Sequence, residues 1–124
     1  TGAHPIQFVE VNEGDATAGK MQVVAQVQEY IKNHLSEKLT LADVAAVFNF
    51  SPNYLSQLFG KYGDSGFVEY ITETRIAAAR EMLERGDLKV YEIAEKLGYE
   101  SSFYFSKVFK KVTGLSPREY QQSI

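Results

Sequence analysis

The stretch LADVAAVFNFSPNYLSQLF, residues 41–59, returns as VYEIAEKLGYESSFYFSKVF, residues 90–109, with one added residue in the second copy. Each copy has a short stretch of helical apolar spacing around an alanine, Ala45 or Ala94, then a break and a second stretch of helical spacing. Two helices joined by a turn of a few residues form a helix-turn-helix, and a small side chain lets them approach closely. The duplication therefore predicts two helix-turn-helix units in one chain.

The segment between the two copies, residues 67–85, keeps helical apolar spacing up to Gly86, a typical C-terminal glycine. As one helix it would span about 28 Å at about 1.5 Å per residue. One turn of DNA measures about 34 Å. We therefore expect this linker helix to hold two recognition helices on the same side of the domain, near successive segments of the major groove.

Shorter signals complete an all-α fold of seven helices, two helix-turn-helix subdomains joined by a long linker helix, with no convincing strand. The apolar spacing from Val24 to Leu35 predicts a first helix, and Ser116-Pro117 predicts the start of a last one. We interpret residues 1–20 as a linker or an expression remnant and residues 21–124 as the domain. Within it, the first helix-turn-helix covers about 41–62, the linker helix about 67–85 and the second helix-turn-helix about 90–113.

The composition fits one soluble domain with a core, since 44% of the residues are hydrophobic. The absence of cysteine excludes disulfides, thiolate metal sites and cysteine nucleophiles. No apolar run reaches the length of roughly 18 residues that a membrane span requires, and no signal peptide is recognisable. We expect a cytoplasmic protein without contact to a membrane.

The charge of the chain gives arguments both against and for binding to nucleic acid. The net charge of -3 argues against nucleic acid, because DNA-binding proteins usually carry a basic surface that displaces counterions from phosphates. The basic residues nevertheless collect near the C-terminus, where residues 101–124 contain four of them against the single acid Glu119. These four are Lys107, Lys110, Lys111 and Arg118.

The second helix of each unit has a core side and a free side. Predicted core residues are Tyr54, Leu55, Leu58 and Phe59 in the first unit, and Tyr104, Phe105, Val108, Phe109 and Val112 in the second. The free side carries short polar and basic side chains, which suit base edges because glutamine pairs with adenine, lysine bonds guanine and serine donates or accepts. A merely solvated face is the alternative for either copy alone, and the duplication favours DNA.

At this point the sequence resembles the DNA-binding domain of the AraC/XylS family of bacterial transcription regulators, over about residues 22–122. The resemblance rests on residues 41–59, on FVEYITETRIAAAREML (67–83), on VYEIAEKLGY (90–99), on FSKVFKK (105–111) and on GLSPREY (114–120). It implies sequence-specific binding of double-stranded DNA at a promoter or operator. It also implies that seven residues face the bases: Asn53, Ser56, Gln57, Ser102, Phe103, Ser106 and Lys107.

Phosphate contacts are expected from the remaining basic side chains and from helix N-termini, whose free N–H groups attract anions. The predicted set is Ser51, Lys61, Lys89, Ser101, Lys110, Lys111, Ser116 and Arg118. The sequence departs from the family pattern in three ways: Gln57 and Lys107 stand where arginine is common, Gly60 replaces a usual lysine, and residues 63–66 replace a threonine-glycine turn. The first unit has therefore lost positive charge. We therefore expect the second unit to bind phosphate more strongly.

The resemblance further implies a sensor or receiver domain ahead of this module, for which residues 1–20 are too short. We expect an excised output domain that meets RNA polymerase in the full-length regulator. No cofactor, no metal and no small-molecule ligand is expected on this fragment.

Two other functions, an enzyme and a protein-interaction module, are each suggested by a few residues. Residues 63–66, Gly-Asp-Ser-Gly, match the tetrapeptide around a serine-protease nucleophile, but an interhelical turn offers no triad, so no catalytic residue is predicted and the chain is not expected to be an enzyme. His4 lies in the tail, and His34 is placed to complement the negative end of a helix. The second alternative is a helical protein-interaction module in which Phe103 and Tyr91 mark the surface for a partner.

Overall fold

Seven α-helices form the regular structure of residues 13–124, the part of the chain that the computed structural model describes, and no strand occurs among these residues. The all-α fold class is confirmed. The helices are α1 (Glu13–Lys32), α2 (Leu41–Val47), α3 (Pro52–Tyr62), α4 (Phe67–Arg85), α5 (Val90–Lys96), α6 (Ser102–Thr113) and α7 (Pro117–Ser123).

Side-chain caps fix where the short helices begin. The hydroxyls of Thr40, Ser51, Ser101 and Ser116 each accept the backbone N–H three residues on, at 3.0–3.1 Å. At α7 the cap is reciprocal, because Glu119 Oε1 also accepts the N–H of Ser116 at 2.8 Å. Ser116, recognised in the sequence as the start of the last helix, is thus confirmed as a cap.

The two helix-turn-helix units share their turn geometry as well as their sequence pattern. Asn49 in the first turn and Gly98 in the second both have a left-handed backbone, with φ of 61° and 81°. The next amide donates to the carbonyl of Ala45 at 2.9 Å in the first unit and of Ala94 at 3.0 Å in the second. The turn between α5 and α6 is one residue longer than that between α2 and α3. The duplication is therefore structural.

Each unit has its own hydrophobic core, and α4 contributes to both. The first half of α4 packs with α1, α2 and α3, whereas its second half packs with α5 and α6. The first core consists of Val24, Val27, Ile31, Val44, Ala45, Leu55, Leu58, Phe59, Phe67 and Ile71. The second consists of Ile76, Ala79, Leu83, Ile93, Ala94, Leu97, Phe105 and Phe109.

The first helix differs from its prediction at both ends. It begins at Glu13, so residues 13–20 are helical instead of linker, and residues 1–12 lie outside the described part of the chain. Isolated glycines such as Gly19 suggested a break, but one glycine costs a helix only about 1 kcal/mol relative to alanine. The helix ends at Lys32, and Leu35 lies in a turn closed by the N–H of Glu37, which donates to His34 O at 3.0 Å.

Candidate nucleic-acid interface

Helix α6 presents an exposed side opposite its core side. Phe105 and Phe109 are fully buried, which turns Lys107, on the opposite side of the helix, outward. Phe103 is 73% exposed, and Lys107 Nζ lies 5.3 Å from the centre of its ring, a cation–π distance. Ser102 and Ser106 are half-buried beside them.

A groove of about 450 Å³ runs along this side of α6 to the start of α7. It joins residues that the sequence assigned to bases with residues that it assigned to phosphates. The lining residues are Phe103, Ser106, Lys107, Lys110, Lys111 and Ser116. Ser116 is close because α7 folds back against α4 and α6, which the resemblance did not state.

The acid Glu119 modifies the charge of this groove. Its carboxylate lies 3.9 Å from Lys110 Nζ, with both side chains exposed, so the pair contributes little to stability. The N–H of Ser116 and, after it, the positive charge of Lys110 lower the pKa of Glu119 below its usual range. The positive charge of Lys110 is therefore partly offset by the carboxylate of Glu119.

Helix α3 also has an exposed polar side opposite its core side, but this side carries fewer charges. Asn53, Ser56 and Gln57 are exposed, and the only cation among residues 52–62 is Lys61, whose Nζ lies 5.6 Å from the ring of Tyr62. Gly60 lies within the helix, and a Cβ added there would meet nothing within 4 Å. The first unit is thus suited to hydrogen bonds with bases more than to charge neutralisation.

Besides Lys61, four predicted phosphate residues lie outside the α6 groove. Lys89 is exposed at the start of α5, where its N–H donates to Glu92 Oε1 at 2.8 Å. Arg118 is exposed on α7. The hydroxyls of Ser51 and Ser101 are engaged as helix caps, which leaves the exposed first turns of α3 and α6 to offer backbone N–H groups.

Two tyrosines predicted to face the core are exposed instead. Tyr54 is 42% exposed and packs edge-on against Phe50 at 5.1 Å between ring centres, and Tyr104 is 58% exposed with its ring 6.0 Å from that of Tyr99. Each ring lies against the aromatic residue of its turn, and much of the side chain is exposed. A tyrosine hydroxyl can donate to phosphate, and the matching positions in the duplicated first turns were the signal for this role. Val112, also assigned to the core, is 42% exposed near the end of α6.

The tetrapeptide at residues 63–66 lies in the connection between α3 and α4, as expected from the sequence. The Ser65 hydroxyl donates to Glu73 Oε1 at 3.4 Å.

His34 stacks on Tyr30, and its Nδ1 lies 2.6 Å from Tyr30 O, at the end of α1. Among residues 17–124, whose side chains the structure describes, no three potential metal ligands cluster. None of the helices described is long and apolar enough to cross a membrane.

Two helix-turn-helix units with exposed polar second helices define a DNA-binding protein of the helix-turn-helix class. Residues 44–123 match the model of a helix-turn-helix domain family. The chain belongs to the AraC family of transcription regulators, and it is a DNA-binding domain of that family. The alternative of a protein-interaction module is not favoured.

A similar curated protein is the HTH-type transcriptional regulator YijO of Escherichia coli, 42% identical over 107 residues. The match covers 86% of this chain and 38% of that protein. The chain thus spans between 31% and 38% of the length of YijO and two further similar regulators.

Solved structures agree with this assignment. The C-terminal domain of AraT, a response regulator from Geobacillus stearothermophilus, is 38% identical with a TM-score of 0.79, and the match covers 82% of this chain and 85% of that one. The DNA-binding domain of the global transcriptional factor AdpA, solved with a target DNA, is 25% identical with a TM-score of 0.76 over 81% of this chain and 90% of that one.

Proposed function

We propose that this domain binds a specific double-stranded DNA site with both units at once, inserting α3 and α6 into successive segments of the major groove. The α6 groove is the observation that carries the proposal, because it places a polar and aromatic face beside Lys107, Lys110 and Lys111. Such a groove can hold a base edge and its neighbouring phosphate together.

The two units make different contacts with the DNA. On α3, Asn53, Ser56 and Gln57 read base edges through hydrogen bonds, and Lys61 contacts the backbone. On α6, Lys107 and the serines at 102 and 106 read bases, while the exposed ring of Phe103 provides the apolar surface that suits a thymine methyl group. The second unit supplies most of the phosphate contacts, from Lys110, Lys111, Arg118 and the N-termini of α6 and α7.

The biological setting follows from the family. YijO is a transcriptional regulator of which this chain spans only 38%, and the AdpA domain was solved with a target DNA. We infer that this domain is the output part of a cytoplasmic bacterial regulator, which meets RNA polymerase at the promoter. The proposal includes no cofactor, no catalytic activity and no small-molecule ligand for this domain.

Selection of genomic fragments with the purified domain tests the proposal. The expected result is enrichment of a bipartite site, whose labelled duplex is displaced far better by itself than by a random duplex of equal length. Binding to random duplex at low salt is expected as well, since phosphate contacts are independent of sequence. A domain that binds neither heparin nor random duplex at low salt, and that enriches no site, would contradict the proposal.

A further inference from the structure

Arg75 lies where the two units meet. It is the α4 residue directly before Ile76 of the second core, and Ile71 of the first core lies one turn earlier. Its side chain is half-buried at the edge of a cleft of about 620 Å³ that both units line. An arginine at this point of the linker helix can contact either unit.

The guanidinium binds the first unit through backbone carbonyls. Nε and Nη2 of Arg75 donate to Leu35 O at 3.3 Å and 3.1 Å, and Nη2 also donates to Glu37 O at 2.8 Å. These carbonyls follow the end of α1, where no helical amide takes them up. The Leu35 side chain packs against both cores, so this turn is itself part of the junction.

The same guanidinium contacts the second unit through its turn. Arg75 Cζ lies 5.6 Å from the centre of the Tyr99 ring, within cation–π range. The preceding Gly98 is packed so tightly that a Cβ there would lie 2.7 Å from Leu35 O and 2.8 Å from Arg75 Nη2. The turn of the second unit therefore sits directly on the loop of the first, with Arg75 between them.

We propose that Arg75 is a positioning residue that sets the angle between the two helix-turn-helix units, and thereby the spacing of the two half-sites that one molecule accepts. A guanidinium is planar and rigid, so bonds to two carbonyls on one unit and contact with a ring on the other fix an orientation as well as a distance. Lysine has one flexible ammonium and cannot reproduce this geometry. The spacing part of this inference rests on the proposed function.

The orientation part is tested without DNA. Arg75→Met keeps the length and apolar stem of the side chain but removes its donors and charge, and Arg80→Met is the matched control because Arg80 is exposed on the same helix. Residual dipolar couplings of the labelled domain report how each unit aligns. We expect one common alignment for the wild type and Arg80→Met, and different alignment of the two units in Arg75→Met. A single unchanged alignment in Arg75→Met overturns the proposal.

The spacing part uses the duplex recovered by genomic selection, together with versions that carry one inserted or one deleted base pair between the half-sites. One base pair shifts a half-site by about 3.4 Å along the axis and rotates it by about 34° to 36°. The wild type and Arg80→Met are expected to lose about tenfold in affinity on the altered duplexes. Arg75→Met is expected to bind the original duplex more weakly and to distinguish the spacings by less than about threefold, while its affinity for an isolated half-site stays at the wild-type level.

The outcomes separate the two proposals. If the wild type enriches no DNA site, the proposed function fails, and the dipolar couplings still decide whether Arg75 orients the units. If the wild type binds a bipartite site and Arg75→Met keeps the wild-type spacing preference, the inference about Arg75 fails alone. If Arg75→Met does not fold, the dipolar couplings and the spacing preference are measured on Arg75→Lys. Both are expected to lie between those of the wild type and those expected for Arg75→Met. Wild-type behaviour of Arg75→Lys would overturn the proposal.

Discussion

At the scale of single residues, the proposed function assigns base reading and phosphate binding to different positions on the recognition helices. Gln57→Ala and Lys107→Ala each remove a proposed base contact, so affinity for the selected site should fall by about 1–3 kcal/mol with preference flattened at one or two base pairs. Affinity for random duplex should change less. Lys111→Ala should instead weaken binding to both duplexes alike and reduce the slope of log K against log salt by about 1. Competition titrations at several salt concentrations measure both effects.

The control for these variants is Gln26→Ala, because Gln26 is an exposed glutamine on α1 that is not among the proposed DNA contacts. It should bind like the wild type. If Gln57→Ala and Lys107→Ala keep the full preference for the selected site over random DNA, these side chains are solvated surface and their assignment as base readers ends.

At the scale of elements, two glycines of the recognition helices should respond in opposite ways to alanine. Gly60 lies inside α3 with open space at its Cβ, so Gly60→Ala should stabilise the domain by about 0.5–1 kcal/mol. Gly114 ends α6 with a φ of 89°, so Gly114→Ala should destabilise it by about 1–2 kcal/mol. Urea unfolding followed by circular dichroism measures both changes, and a rise in stability for Gly114→Ala or a loss for Gly60→Ala would contradict the backbone described here.

The capping of α7 predicts a dependence on pH. The folded state lowers the pKa of Glu119, chiefly through the N–H of Ser116, so its contribution to stability is complete above the unfolded value of about 4.3 and is lost as pH falls through the lower folded value. Glu119→Gln keeps the hydrogen-bond acceptor and removes this titration. Its free energy of unfolding should therefore fall less between pH 5 and pH 3 than that of the wild type or of Glu95→Gln, an exposed control on α5. Equal acid sensitivity of all three proteins would remove this role of Glu119.

At the scale of the whole molecule, a chain with a net charge of -3 must bind DNA through a local basic surface. With about five phosphates contacted, the slope of log K against log salt should be roughly -4 to -5. Titrations of the selected duplex across a range of salt concentrations give this slope. An affinity that does not depend on salt would contradict the proposed interface.

The sequence alone determined the number and type of the helices, their caps, the duplication and the family. These properties depend on short-range patterns, namely apolar spacing, serine and threonine at N-caps and glycine at C-caps, which physics ties to local backbone structure. The solvent exposure of Asn53, Ser56 and Gln57 could be predicted for the same reason, because burial of one helix side exposes the other.

Only the tertiary structure decided how these elements meet. The bonds from Arg75 to Leu35 and Glu37 join residues 40 and 38 positions apart, and helical periodicity carries no information on such pairs. The helical spacing of Tyr54 and Tyr104 predicted core positions, yet both residues are exposed, and each ring lies against the aromatic residue of its turn. The position of Ser116 beside Lys110 and Lys111 likewise depends on how α7 folds back. Local pattern sets which side of a helix is buried, whereas packing between distant segments sets which exposed residues become neighbours.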